Sequence, residues 1–297
     1  MARAVHNQPA MKKPVLAVFL SFIALQAYAQ PVPGKYTSLR EAQLNAHACE
    51  WLDLNRQTLG ASIDSIALLK NLKYLDLSRT GISTLPVGIG KLTKLKYLVL
   101  SHNNIRNLPP EITELKLLQS LYLDHNPSLD VAEAIQYLAA LPGLRMLSLA
   151  GDHIATIPAD IGRLSKLESL ELSENEFSTL PETMVQLKNL KVLYINNDAY
   201  FNLQDNLSIL SRISNLSELH VENDNMQEIP AGISKLKSVE YLFLIGNNIR
   251  EVPDEILKMK KLKLLDLSDN PIPPPLYDQY QENLAPKINF RLKWKDN

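Results

Sequence analysis

Apolar residues recur along the chain in a fixed pattern, which can be written L-x-x-L-x-L-x-x-N-x-L. The first position of this pattern falls at Leu72, Leu95, Leu118, Leu144, Leu167, Leu190, Leu216, Val239 and Leu262. Successive copies are 23 residues apart, except for two intervals of 26 residues that follow Leu118 and Leu190. Less regular copies begin at Cys49 and Ala285. Self-similarity at a fixed period predicts an array of stacked units.

Each copy contains a short alternation of apolar and other residues, as in Leu75-Asp76-Leu77. Alternation with a period of two places both leucines on one face of a strand and the residue between them on the other. A single unit cannot bury its leucines, so the units are expected to stack with their strands in one parallel sheet. The rest of each unit is expected to form turns or short helices behind the core. The predicted fold class is therefore α/β.

Six units add an apolar residue and a proline after the strand: Leu85-Pro86, Leu108-Pro109, Ile157-Pro158, Leu180-Pro181, Ile229-Pro230 and Val252-Pro253. With the apolar positions that follow, such as Ile89 and Leu92, the chain resembles leucine-rich-repeat proteins of the 23-residue L-P-x-x-I-x-x-L class over about residues 49–293. The segment 36–42 is similar to the lead-in of secreted bacterial members. The resemblance implies a curved horseshoe, or solenoid, with the parallel sheet on its concave face and turns or short helices on its convex face.

The first 29 residues have the pattern of a signal peptide. Lys12 and Lys13 precede an apolar run at residues 16–25, and small residues stand at Ala27 and Ala29. About ten apolar residues are too few to cross a hydrocarbon core, which requires roughly twenty. We therefore expect a secreted or periplasmic protein that is cleaved near Ala29 and has no membrane span. Whether translation starts at Met1 or Met11 is left open.

The repeats divide the remaining chain into an N-terminal capping segment at residues 30–48, ten repeat units at residues 49–284, and a degenerate final repeat with a C-terminal cap at residues 285–297. Ser38 and Glu41 form a capping box, which predicts a helix over residues 39–48. Prolines at 271 and 273–275 are expected to stop regular structure. Alternating apolar residues at 288, 290, 292 and 294 then predict an edge strand.

The two 26-residue units lack the apolar-proline step. Residues 130–141 and 205–216 take its place, and their apolar spacing predicts a helix in each. Polar residues capable of hydrogen bonding recur at the position after each strand, as in Asn103 and Asn175. We interpret this column as structural, since a short amide can satisfy backbone groups that leave the sheet.

Composition narrows the range of partners. The 297 residues carry a formal net charge of −1, which gives no long-range field for attracting nucleic acid. A single cysteine cannot form an internal disulfide, and Cys49 occupies a leucine position of the first unit, where a buried and inert thiol is favoured. No motif of a nucleotide-binding loop, zinc protease or serine hydrolase occurs, so we expect a non-enzymatic protein without a cofactor.

The strand residues that face away from the core include two aromatic clusters. In relatives this face usually binds partners, and rigid aromatic side chains dominate protein interfaces. The alternative is cross-strand stacking that only stabilises the sheet. The predicted partner-binding residues are Trp51, Tyr74, Tyr97, Tyr122, Glu171, Tyr194, His220, Tyr241 and Phe243. A protein ligand is the favoured partner, and a glycan stacked on Trp51 and Tyr74 is the alternative.

Acidic residues lie between the aromatic clusters, at 168, 171 and 174 and again at 218 and 222. They would suit a basic partner, although an ordinary solvated face is equally compatible with them. His102 and His125 occupy the same position in adjacent units, which places them near each other and near Asp124. Two histidines are too few to predict a metal site, so none is expected.

Overall fold

The computed structural model describes residues 34–283 and 288–291. They contain one parallel sheet of twelve strands whose spatial order follows the sequence. The strands are β1 (Lys35–Tyr36), β2 (Trp51–Asp53), β3 (Tyr74–Asp76), β4 (Tyr97–Val99), β5 (Ser120–Tyr122), β6 (Met146–Ser148), β7 (Ser169–Glu171), β8 (Val192–Tyr194), β9 (Glu218–His220), β10 (Tyr241–Phe243), β11 (Leu264–Asp266) and β12 (Asn289–Arg291). The α/β leucine-rich-repeat solenoid predicted from the repeats is confirmed.

Turns and helices lie on the other side of the core. In the described part of the chain, seven 3₁₀ helices span Gly60–Leu68, Val87–Lys91, Pro110–Glu114, Ala159–Arg163, Glu182–Gln186, Ala231–Lys235 and Asp254–Lys258. All but the first begin directly after a proline of the apolar-proline step, whose fixed φ sets the entry to the turn. The α-helices among the described residues are α1 (Leu39–Leu44), α2 (Val131–Leu138), α3 (Leu203–Leu210) and α4 (Pro274–Asn283).

The core runs between the sheet and these turns. Residues in register across neighbouring strands, such as Leu52, Leu75 and Leu98, are fully buried and stack on one another. The first and third residues of the same strands face away from the core and are partly exposed. This alternation is what the period of two predicted. Burying the middle leucine of a strand stabilises the fold by roughly 2 kcal/mol per unit, because its apolar side chain is removed from water.

The polar column after the strands binds backbone groups, as expected. The Oδ1 of Asn175 accepts hydrogen bonds from the backbone N–H groups of Asp152 and Ile154, at 3.1 and 3.0 Å. Its Nδ2 donates to the carbonyl oxygens of Leu149 and Leu172, at 2.9 and 2.7 Å. One buried amide therefore joins two consecutive units.

Several elements differ from the prediction. Helix α1 has the expected N-cap at Ser38, whose Oγ accepts from the Glu41 N–H, but it ends at Leu44 and not at residue 48. Strand β1 was not predicted and adds a twelfth strand beside β2. Helix α3 begins two residues before the predicted segment, because Asn202 caps it by accepting from Gln204 and Asp205 N–H groups.

The C-terminal end also departs from expectation. The prolines at 274 and 275 do not stop regular structure but begin α4, since proline is tolerated in the first turn of a helix. Tyr280 of this helix is buried against Phe290 of β12, with ring centroids 6.0 Å apart, and its hydroxyl accepts a hydrogen bond from the Val252 N–H. The predicted edge strand is present at Asn289–Arg291, and its residues 292 and 294 lie outside the described part of the chain.

Candidate functional site

All nine predicted partner-binding residues lie at the first or third position of a strand, facing away from the core. Together with the other residues at these positions they form what we call the open face of the sheet. Eight of the nine residues, all but Glu171, form two groups, one on β2 to β5 and the other on β8 to β10. The structure thus brings the expected residues to one surface without making them equally accessible.

The first group is the N-terminal aromatic cluster, defined as Trp51, Tyr74, Tyr97 and Tyr122. Trp51, Tyr74 and Tyr97 are neighbours in register on β2, β3 and β4. The rings of Trp51 and Tyr74 stack with centroids 3.5 Å apart and planes 9° from parallel. All four side chains are partly exposed. Three of the four are therefore in register at the first strand position, and Tyr122 lies on the next strand at the third position, opposite Val99.

Charged groups border this patch. The Lys35 Nζ lies over the Trp51 ring, 5.1 Å from its centroid. The Tyr74 hydroxyl lies 3.3 Å from the Oδ2 of Asp76 and donates to it. Burial raises the pKa of Tyr74, and the nearby Asp76 and Asp53 carboxylates raise it further. Burial likewise raises the pKa of Asp76, although hydrogen bonds from Ser78 oppose the change. The patch thus combines apolar rings with the Asp76 carboxyl group, whose pKa is raised.

The second group consists of Tyr194, His220, Tyr241 and Phe243. These residues were expected to be exposed, and for three of them that expectation is wrong. Tyr194, His220 and Phe243 are 6%, 2% and 4% exposed. They stack in register on β8, β9 and β10, with successive ring centroids 4.2 Å apart. Each ring covers its neighbour, so little of the stack reaches solvent. Tyr241 remains partly exposed, with the Lys263 Nζ 5.9 Å from its ring centroid.

His220 is held by two carboxylates. Its Nε2 lies 2.9 Å from the Oε1 of Glu218, and its Nδ1 lies 2.6 Å from the Oε1 of Glu222. Burial lowers the pKa of His220, but the hydrogen bonds to the two carboxylates outweigh burial, and the net change is a raised pKa. An imidazolium that donates from both nitrogens satisfies this geometry. Because both nitrogens are occupied, the ring is not placed to act as a general base.

The acidic centre of the open face is largely neutralised. Glu168 is paired with Lys191 at 2.6 Å and lies 3.7 Å from Arg145, while Glu218 and Glu222 bind His220. Glu171 accepts a hydrogen bond from the Ser173 N–H at 2.8 Å, and burial raises its pKa to about 7. The negative charge that remains to attract a basic partner is therefore smaller than the number of acidic residues suggested.

His102 and His125 lie together, as their spacing predicted. Their rings stack with centroids 4.2 Å apart, and the His125 Nε2 lies 3.9 Å from the Oε2 of Glu174. Burial lowers the pKa of His102, and the neighbouring His125 and Arg79 lower it further. The Asp124 carboxylate accepts hydrogen bonds from the hydroxyl groups of Ser101 and Ser148. Within residues 34–283 and 288–291, no three His, Cys, Asp or Glu side chains converge as metal ligands would.

Two other side chains, those of Cys49 and Tyr200, differ sharply in exposure. Cys49 is fully buried, and burial raises the pKa of its thiol to about 11, which makes it unreactive. Tyr200 is 65% exposed and lies in the irregular segment before α3, away from the strands. Tyr200 falls outside the repeat pattern and is not among the predicted partner-binding residues. No helix in the described part of the chain has the length and apolarity needed to cross a membrane.

Comparison with family models and solved structures gives consistent matches. A model for a leucine-rich repeat region matches residues 34–142 and 128–225, and a model for the leucine rich repeat matches residues 214–272. Comparison with curated proteins gives no match. An internalin (inlF) from Listeria monocytogenes is 21% identical, with a TM-score of 0.63, over 89% of this chain and 72% of that chain.

Two other solved structures extend the comparison. The TLR13-ssRNA13 complex contains a chain that is 24% identical, with a TM-score of 0.60, over 82% of this chain and 39% of that chain. A repeat protein from Leptospira interrogans is 21% identical, with a TM-score of 0.40, over 88% of this chain and 100% of that chain. At these identities the likeness to the internalin and to the TLR13 chain concerns the fold alone.

Proposed function

The chain belongs to the leucine-rich repeat family, and on that premise we propose that it is a secreted, non-enzymatic protein that binds another protein through the open face of its sheet. The N-terminal aromatic cluster is the observation that carries this proposal. Its four side chains lie on the consecutive strands β2 to β5 and are partly exposed. Partly exposed aromatic residues on a rigid sheet lose little entropy on binding and commonly anchor interfaces.

The two ends of the open face support different roles. Tyr194, His220 and Phe243 already cover one another, so a partner would gain little by covering them again. The N-terminal aromatic cluster retains apolar ring surface that a partner can remove from water. We therefore centre the binding surface on β2 to β5 and assign the buried stack a supporting role in the sheet.

Secretion is proposed from the sequence. The pattern that carries it, at residues 1–29, lies outside the described residues. The apolar run is of signal-peptide length, and no cysteine follows it as a lipid-attachment site would require. A bacterial origin is proposed because the repeat class and the lead-in segment resemble secreted bacterial members, and because the single cysteine does not allow the disulfide-bonded caps common in extracellular animal members.

The glycan alternative is less well supported by the geometry. A sugar ring binds by stacking on an open aromatic face. Trp51 already has Tyr74 stacked at 3.5 Å and the Lys35 ammonium group over its ring. These contacts leave less of the ring for a sugar, whereas a protein partner can bind the partly exposed edges of several rings at once.

Affinity capture from the medium in which the protein occurs tests this proposal. The wild-type protein is immobilised beside a Tyr74→Ala/Tyr97→Ala variant and a Tyr200→Ala control, and retained proteins are identified by mass spectrometry. We expect a partner that the wild type and the control retain equally and the double variant loses. Equal retention by all three proteins would contradict binding through the cluster. Saturable binding to a glycan array, without a retained protein, would favour the alternative.

A further inference from the structure

Three units carry aspartate where most others have a short amide after the strand. Asp152, Asp198 and Asp224 are 5%, 0% and 5% exposed. The Oδ2 atom of each is buried and has no hydrogen-bond partner among residues 34–283 and 288–291. A buried carboxylate oxygen without a donor is strongly unfavourable, so the protonation state of these side chains needs a physical account.

The asparagines of the same column show what usually occupies this place. The Nδ2 of Asn175 donates to the carbonyl oxygen three residues earlier, that of Leu172, and to the corresponding carbonyl of the preceding unit, that of Leu149. Asn247 repeats the arrangement with Leu244 and Val221, at 3.1 and 2.8 Å. By register, the Oδ2 of an aspartate takes the place of Nδ2. It then faces carbonyl acceptors, to which an ionised carboxylate has nothing to donate.

We infer that Asp152 and Asp224 are held as neutral carboxylic acids in the folded protein. Each donates its Oδ2–H to a backbone carbonyl, as the asparagine amide does in other units. The contacts between units therefore loosen at these two positions as pH rises. By register the acceptor carbonyls are those of Leu149 and Leu123 for Asp152. For Asp224 they are those of Val221 and Ile195. The Oδ2–H proton takes the place of one N–H hydrogen of the asparagine amide. The hydrogen bond between neighbouring units is therefore kept.

The positions of the two aspartates in the chain support this inference. Each stands in the unit that follows a 26-residue interval. The Oδ1 of Asp152 accepts from the Asn126 N–H, and that of Asp224 accepts from the Asp198 N–H, both at 2.6 Å. The Oδ1 of Asn175 accepts from two backbone N–H groups, whereas those of Asn126 and Asn270 accept from one. A single accepted N–H group gives the carboxylate form of Asp152 and Asp224 little stabilisation against burial.

The charges around the two groups also favour the neutral form. Burial is the largest cause that raises the pKa of both side chains, to about 8, and nearby carboxylates act in the same direction. These are Asp124 for Asp152, and Asp198 and Glu222 for Asp224. In the unit before Asp152, the His125 ring lies against Gly151. The His125 Nε2 lies 3.9 Å from the Oε2 of Glu174, which belongs to the unit after Asp152.

The direction of the pH effect follows from linkage. The folded-state pKa lies above the ordinary value of 3.8, so the unfolded chain releases these protons first as pH rises. Between about pH 4 and pH 8, each site therefore raises the unfolding equilibrium constant about tenfold per pH unit. Asp198 differs, because its Oδ1 accepts from the Tyr200 N–H of its own turn and its pKa is raised only to about 6. Its effect is confined to a narrower range of pH.

Two measurements test the inference. Carboxyl carbon resonances of the wild-type protein, assigned by loss in Asp152→Asn and Asp224→Asn, are followed from pH 3 to pH 9. Urea midpoints of the wild type and of the double Asn variant are compared at pH 5 and pH 8.5, with the exposed Asp64→Asn as control. We expect both resonances to titrate near pH 8. We also expect the double variant to be the more stable protein at pH 8.5, with an advantage that shrinks at pH 5.

Opposite results would overturn the inference. Titration of both carboxyls near pH 4 would show that they are ionised in the neutral range, whatever the variants do. Equal pH dependence of the urea midpoint in the wild type and the double variant would exclude a role for these protons in stability. An increase in the wild-type midpoint on adding calcium, reversed by a chelator and absent in the double variant, would place a cation and not a proton between the oxygens.

Discussion

Trp51 and Tyr74 stack face to face across adjacent parallel strands, with ring centroids 3.5 Å apart. The contact joins the first two full repeat units on the surface that remains accessible. It therefore links a feature of sheet stability to the proposed binding surface, and substitutions on the open face have to be examined for both effects.

Replacing Tyr74 with alanine is expected to weaken binding of the captured partner by about 1 to 3 kcal/mol, because a partly exposed aromatic anchor is lost. Isothermal titration calorimetry measures the affinity, and thermal unfolding measures the effect on the fold. Tyr241→Ala is the matched substitution on β10, where we expect a smaller loss. Unchanged affinity in Tyr74→Ala would remove the N-terminal aromatic cluster from the interface.

Replacing Asn175 with leucine is expected to lower the free energy of unfolding by roughly 1 to 3 kcal/mol or more. The change removes the acceptor of the Asp152 and Ile154 N–H groups and the donor to two carbonyl oxygens, all of which are buried. Urea unfolding followed by circular dichroism provides the measurement. The variant Asn189→Leu, at an exposed position, is the comparison. An equal loss of stability in both variants would mean that the buried hydrogen bonds of Asn175 add no stability beyond that of an exposed amide.

Replacing His220 with phenylalanine keeps an aromatic ring between Tyr194 and Phe243 but leaves Glu218 buried without its cationic partner. Breaking a buried charge pair in this way costs about 3 to 5 kcal/mol of stability at neutral pH. Denaturant unfolding at pH 7 checks the value, with the exposed His47→Phe as control. A variant as stable as the wild type would show that the stack alone, without the ion pairs, holds this part of the sheet.

The His220 ring is also expected to titrate above its ordinary value of 6.5, because Glu218 and Glu222 stabilise the charged form. A raised folded-state pKa means that the stabilisation is complete below pH 6.5 and is lost as pH rises through the folded-state value. Nitrogen chemical shifts of the ring, recorded from pH 5 to pH 9, provide the test. Titration below pH 6.5 would show that burial outweighs the carboxylates.

Cys49 is expected to resist thiol reagents in the folded protein. Its side chain is fully buried and burial raises its pKa to about 11, so thiolate is scarce at neutral pH. Labelling with a maleimide, followed by mass spectrometry, should show modification only after addition of denaturant. Rapid labelling of the native protein at pH 7 would mean that the first unit opens easily.

The sequence predicted the parts of this fold that repeat. The alternation around Leu75 and the amide column that includes Asn175 depend on local spacing, which is visible along the chain. Helix α4 was missed because prolines were read as a stop, although the first turn of a helix tolerates them. Strand β1 has only two residues, Lys35–Tyr36, so it is too short to show an alternation of apolar and polar residues. Its pairing with β2 could not be predicted from the sequence for this reason.

Exposure on the open face was predicted less well. Periodicity places Tyr97 and Phe243 on the same face, and both do lie there, but it does not determine how far neighbouring side chains cover each other. Phe243 is buried because His220 lies against it with nearly parallel planes, 5° apart. That arrangement depends in turn on Glu218 and Glu222, which orient the histidine ring. Such contacts between units are set by three-dimensional packing and not by spacing.

The twelve strands follow one another in the sheet in the order in which they are translated. Each strand can pair with the one made just before it, so ordered structure can grow from the amino end while the remainder is still emerging from a ribosome. Addition or loss of a whole 23-residue module would preserve every type of contact that the neighbouring modules make. Duplication and deletion of such modules thus offer this chain a route to a longer or shorter binding surface without a new fold.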